Sequence, residues 1–223
     1  MKKYSKDKIS LLLEKQGVLP MFSHEDENIA GHLLQALYQG GVRVVEFTNR
    51  SPHALKVFRT LKRSAAKDMP GLIMGAGTIM NTQAAIAYTG EGADFIVAPV
   101  IDKMLAKFCL KENILWCPGA ATLTEIVRAH EMGAGLVKIF PAKQLGGPDF
   151  VKAIMAPCPW LRIMATGGIT TDSSDLEAWF KSGVKCVGIG SHLVPADLIA
   201  RGEFELISAR INEVLQLIQT FRP

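Results

Sequence analysis

Short apolar runs recur along the chain at fairly even intervals. They are GVLPMFS (17–23), VRVVEFTN (42–49), GLIMGAGT (71–78), DFIVAP (94–99), ILWCPGA (114–120), LVKIFPA (136–142), LRIMATGG (161–168) and VKCVGIGS (184–191). Most are continuously hydrophobic rather than alternating, which is the pattern of strands covered on both faces of a parallel sheet. Eight strands are therefore predicted. The segments between them follow the helical period. TLTEIVRAHEMG opens on a capping box, Thr122 with Glu125, and can end at Gly133. DKMLAKFCLKE starts at an Asp102 N-cap and sets Met104, Leu105, Phe108 and Cys109 on one stripe. DLEAWFKSG does the same with Leu176, Trp179 and Phe180 before Gly183, and FELISARINEVLQLIQTF forms a long amphipathic C-terminal helix. ENIAGHLLQALYQGG and HALKVFRTLKR fill the earlier gaps.

Eight strands alternating with helices predict a compact (β/α)8 TIM barrel, with residues 1–223 as one domain. An open doubly wound sheet is the alternative, but the first strand–helix turn has no GxGxxG. Composition narrows the function classes. The chain of 223 residues is 48% hydrophobic and carries a formal charge of +4, partly in the N-terminal MKKYSKDK, which leads a helix or frays. No basic face is interleaved with aromatics, which argues against nucleic acid. Cys109, Cys117, Cys158 and Cys186 form no CxxC pair and sit among apolar residues, as packed thiols do in a reducing compartment. ISLLLEKQG is interrupted too soon for a signal peptide, and no run reaches the length of a membrane span. A soluble, cytoplasmic protein is expected, with no membrane partner. His53, His130 and His192 have no metal-ligand spacing, so neither metal nor other cofactor is expected.

In such barrels the chemistry sits at the C-terminal ends of the strands. The polar exceptions to the apolar runs fall there: Glu46, Thr48 and Arg50 at the second, Thr78 at the third, Lys138 in the sixth. Residues two apart share a strand face. If Val44 and Leu136 point inward, Glu46 and Lys138 meet inside the barrel. A buried ion pair without function is one reading of them. The other is a dry amine with a depressed pKa, able to act as a nucleophile. Lys143 is the rival nucleophile, but it follows Pro141 in a loop and lacks the apolar surround. TGG (166–168) and GIGS (188–191) end the last two strands, where backbone N–H groups of barrels commonly hold phosphate.

Taken together, VVEFTNR, GAGT, CPGAAT, VKIFPA, ATGG and GIGS resemble, in collinear order, the class I aldolases for 2-keto-3-deoxy-6-phosphogluconate and 4-hydroxy-2-oxoglutarate, a family that includes 2-keto-3-deoxy-6-phosphogalactonate aldolases. The resemblance runs from GVLPMF to GSHLVPADL. It implies a homotrimer acting on a keto sugar acid phosphate and releasing pyruvate. It maps the Schiff-base lysine onto Lys138, the acid–base glutamate onto Glu46 and the carboxylate-binding arginine onto Arg50. Thr78, Pro99 and Phe140 match the lining of the pyruvate end, and Thr166 matches a residue that meets the substrate hydroxyls. Gly167, Gly168, Gly190 and Ser191 match the phosphate pocket. Asn49 and His192 depart from the gluconate-type pattern, whereas Thr166 agrees with it; CPGAAT and KIFPA lean toward the galactonate type. The resemblance implies aldol cleavage and favours the phosphogluconate type, with the phosphogalactonate type as the alternative. A phosphate-binding isomerase or epimerase without a covalent step, and a sugar-phosphate sensor without turnover, are the competing readings.

Overall fold

The structure is a computed structural model that describes residues 4–221. The first three residues of the charged N-terminal run lie outside the described residues. The strands are β1 (Val18–Phe22), β2 (Val44–Thr48), β3 (Ile73–Gly77), β4 (Phe95–Val97), β5 (Leu115–Cys117), β6 (Gly119–Ala120), β7 (Val137–Ile139), β8 (Ile163–Thr166) and β9 (Cys186–Ile189). All their pairings are parallel, in the order β5-β4-β3-β2-β1-β9-β8-β7-β6. β5 and β6 are two halves of one barrel strand, interrupted at Pro118, which has no N–H to give to a ladder. Its carbonyl still accepts from the Lys138 N–H at 2.8 Å. β5 pairs with β4 and β6 with β7, so the continuous chain closes an eight-stranded barrel, as the periodicity predicts.

The inner face carries Leu19, Val44, Ile73, Phe95, Leu115, Leu136, Met164 and Cys186, all buried in one cluster. Ile9 and Leu13 of α1 (Lys6–Gln16) belong to the same cluster, and α1 packs against β1, β2, β5 and β9. This helix plugs the N-terminal mouth of the barrel. Its last residue, Gln16, substitutes for a strand. Its amide nitrogen donates to the carbonyls of Val18 (2.6 Å) and Val44 (2.7 Å), and its amide oxygen accepts from the N–H groups of Arg43 (2.7 Å) and Val44 (2.9 Å). Four main-chain groups that would otherwise lose partners at the ends of β1 and β2 are thus satisfied.

The second, larger cluster lies between the strands and the outer helices. There the expected caps are present. Thr122 and Glu125 form a complete capping box on α6 (Leu123–Glu131), and Asp102 accepts from the Leu105 N–H on α5 (Lys103–Lys111). Leu105 and Cys109 are buried, but Met104, placed on the same stripe by the sequence, is 64% exposed. It faces outward because the buried arc of a nine-residue helix is narrower than the sequence stripe.

Candidate active site

The polar residues of the barrel interior all lie toward the C-terminal ends of the strands. Along β2 the inward positions are Val44, Glu46 and Thr48; along β7 the inward residue is Lys138. Glu46 is 2% exposed and Lys138 5% exposed. Two such side chains fit only because their neighbours are small. A methyl group on Gly77, beside Thr48 in the β2–β3 register, would collide with the Glu46 carboxylate, and one on Gly75 would collide with the Phe95 ring. A methyl on Gly188 would collide with the Thr166 hydroxyl. Gly77 and Gly188 therefore make the volume that Glu46 and Thr166 occupy, and Gly75 the volume of the Phe95 ring.

Burial dominates the electrostatics. It pushes the Glu46 carboxyl above the ordinary carboxylate range, against the opposing pull of Lys138 and Arg50. It pushes the Lys138 ammonium below the ordinary lysine value; Glu46 and Cys117 oppose that shift and Arg50 adds to it. Both groups are thereby driven toward their neutral forms, an amine and a carboxylic acid. Glu46 Oε2 is buried without a hydrogen-bond partner among the described residues. The Lys138 nitrogen lies 5.2 Å from the centre of the Phe140 ring, so the amine meets an apolar surface and no fixed counter-ion on that side. Cys117, on the inner face of β5, is pushed up to about 12 by burial first and by Glu46 second, and so remains a thiol.

Above this buried pair opens a cavity of about 320 Å³. Arg50 and Thr48 line it from the end of β2, Phe140 from the end of β7, and Thr166, Gly167 and Gly168 from the end of β8. Gly190 and Ser191 complete it beyond β9, with His192 beside them. Thr166 is 4% exposed, and its hydroxyl has no hydrogen-bond partner among the described residues. It is free for a ligand, as a buried hydroxyl without a protein partner must be if it is to be satisfied. Gly167 and Gly168 have φ of 102° and 77°, values that glycine alone adopts without strain.

Four predicted residues do not line this cavity: Glu46 and Lys138, which are buried, and Pro99 and Thr78. Pro99 lines a neighbouring cavity of about 410 Å³, which shares the Phe140 ring with the first. Thr78 lines neither cavity. It has a left-handed backbone (φ 59°), an outlier for a β-branched residue. Strain of this kind clusters at functional sites. Lys143, the rival nucleophile, is exposed. Cys117 is the packed thiol that the sequence predicts. The space-making glycines were missed, and nothing in the sequence pointed to them.

Comparison with known proteins agrees with this geometry. The family model described as "KDPG and KHG aldolase" matches residues 9–210. A 2-dehydro-3-deoxy-phosphogluconate aldolase of Treponema pallidum is 32% identical over 206 residues, covering 92% of this chain and 95% of the relative. The KHG/KDPG aldolase of Escherichia coli is 34% identical over 199 residues, 89% and 91% of the two chains. A solved KDPG aldolase from Legionella pneumophila, with pyruvate captured at low pH as a covalent carbinolamine intermediate, superposes with a TM-score of 0.84 at 29% identity, covering 92% of this chain and 97% of that one.

Proposed function

The chain belongs to the KDPG and KHG aldolase family, and from that membership and the buried Lys138 we propose that it cleaves a 2-keto-3-deoxy-6-phospho sugar acid of the phosphogluconate type to pyruvate and glyceraldehyde 3-phosphate. The observation that carries the reading is an amine and a carboxyl buried together on the inner barrel face and both driven toward neutrality. The neutral Lys138 amine attacks C2 of the keto acid. Protonated Glu46 donates to the departing hydroxyl, so the carbinolamine loses water and becomes an iminium. A base, Glu46 directly or through one water, then removes the C4 hydroxyl proton. The C3–C4 bond breaks, its electron pair flows into the iminium, and the aldehyde leaves. Protonation of the remaining enamine at C3 and hydrolysis release pyruvate and restore Lys138.

Arg50 holds the C1 carboxylate in this scheme, with its charge-assisted donors setting the orientation. Thr78, Pro99 and Phe140 border the pyruvate end, and the free Thr166 hydroxyl meets the sugar hydroxyls. Gly167, Gly168, Gly190 and Ser191 hold the phosphate. The same lysine and arginine serve 4-hydroxy-2-oxoglutarate, whose cleavage gives pyruvate and glyoxylate. The functional form is a homotrimer. Supporting this, Met80, Val100, Ile86 and Met104 are exposed on the consecutive units that follow β3 and β4, and the helices of those units pack together. One chain folded as one domain makes each subunit, and four buried cysteines with no disulfide between them favour a reducing, cytoplasmic setting.

The direct test is pyruvate release, measured through lactate dehydrogenase, from the phosphogluconate-type acid, the phosphogalactonate-type acid and 4-hydroxy-2-oxoglutarate. The highest kcat/KM is expected on the first. A higher value on the galactonate type reassigns the sugar stereochemistry, and no cleavage of any of the three removes the aldolase reading in favour of a non-covalent isomerase.

A further inference from the structure

Lys143 stands beside the glycines at the end of β8, and we propose that it is the specificity-determining cation for the substrate's distal phosphate. This inference deepens the aldolase reading and rests on it. Two main-chain hydrogen bonds extend the β7–β8 ladder past the strands: Ala142 N–H donates to the Thr166 carbonyl at 2.8 Å, and Lys143 N–H to the Gly167 carbonyl at 3.1 Å. The loop then turns back on itself. Gly146 N–H donates to the Lys143 carbonyl at 3.3 Å, and Gly147 N–H to the Ala142 carbonyl at 3.1 Å. The Lys143 backbone is thus fixed on both sides. Its side-chain stem lies along Gly168: a Cβ placed on that glycine would stand 2.7 Å from Lys143 Cβ and 2.9 Å from Cδ. Gly168 therefore has two reasons to be glycine, its left-handed φ of 77° and the lysine stem packed against it.

The charge balance points the same way. A phosphomonoester carries about −1.5 to −2 at neutral pH. The residues assigned to the phosphate end of the cavity are Gly167, Gly168, Gly190 and Ser191, none of which carries a charge, with His192 beside them. Arg50, the cation on the cavity wall, is engaged by the C1 carboxylate in the scheme above. Lys143 is exposed and enters none of the ion pairs among the described residues, so its charge is uncommitted. Lys143 does not itself line the cavity, but its flexible stem runs along Gly168, which does, and is long enough to carry an ammonium to the rim, where a point charge suits a phosphate.

The test compares the full-length wild type with Lys143→Met and Lys143→Arg on the phosphorylated sugar acid and on 4-hydroxy-2-oxoglutarate. The ratio of kcat/KM on the phosphorylated acid to that on 4-hydroxy-2-oxoglutarate is expected to fall about tenfold in Lys143→Met, through KM rather than kcat, as for the loss of one charge-assisted contact. Lys143→Arg restores most of it, and inhibition by inorganic phosphate weakens in Lys143→Met alone. A wild type that prefers the phosphorylated acid, with a ratio unmoved by Lys143→Met, overturns this inference and leaves the aldolase reading standing. Equal loss on both substrates overturns it as well. A wild type indifferent to the phosphate overturns both the inference and the assignment of the phosphate pocket.

Discussion

Gly77→Ala adds one methyl group at the place where the account is most sensitive to geometry. The backbone at Gly77 is ordinary strand, so alanine brings no conformational strain of its own. The effect is local overlap. The new Cβ would fall on the Glu46 carboxylate and stand 2.7 Å from Glu46 Cγ, closer than real Cβ contacts approach. The carboxylate must retreat by about 1 Å or more, and a misplacement of that size at a reacting group costs on the order of 100-fold in rate. Overpacking a close-packed interior costs about 1–3 kcal/mol of stability, which a barrel of this size tolerates. Gly77→Ala should therefore fold, form the imine with pyruvate at Lys138 more slowly, and turn over substrate about 100-fold more slowly than wild type. Circular dichroism checks the fold, and steady-state pyruvate release checks the rate. A folded Gly77→Ala protein with kcat within twofold of wild type would refute the claim that Glu46, in this exact position, moves the protons.

Three further outcomes follow from the structure. Lysine is nucleophilic above its pKa, and burial depresses that of Lys138, so borohydride trapping with pyruvate should rise with pH along a limb well below the ordinary lysine range. Glu46 opposes the depression once it is ionised, so on the limb where its carboxylate forms Glu46→Gln should move trapping to lower pH; a shift to higher pH would contradict the assigned sign. Gln16→Ala leaves four main-chain groups of β1 and β2 without their partner, at a cost of about 2–4 kcal/mol. At roughly 2–4 °C per kcal/mol for a chain of this size, thermal denaturation should show Tm lowered by about 4–16 °C.

Much of this architecture was legible because buried parallel strands are continuously apolar, and each run that the sequence marks is a strand of the barrel. Lys138 was legible for the same reason, since a lone charge within such a run must be inside or be an error. The break at Pro118 was not, because the apolar run ILWCPGA continues through it while the hydrogen-bond ladder does not. Nor was α4 (Thr82–Gly90), whose TQAAIAYTG has small residues where a stripe would show; its anchor is the buried Tyr88 ring against Phe58. That tyrosine also accounts for Asn49, which departs from the gluconate-type pattern: the Tyr88 hydroxyl donates to its Oδ1 at 3.0 Å. The role of Gly77 was hidden because an absent side chain leaves no pattern, and its meaning depends on the neighbour across the register. Thr78 carried no sign of its left-handed backbone, since threonine seldom adopts one.

The central claim is a covalent bond at one lysine, and the most direct measurement is reductive trapping. The protein is incubated with pyruvate and borohydride, digested, and the modified peptide located by mass spectrometry. The account predicts a reduced pyruvate adduct on Lys138, abolished in Lys138→Met. No adduct, or an adduct confined to Lys143, would contradict it.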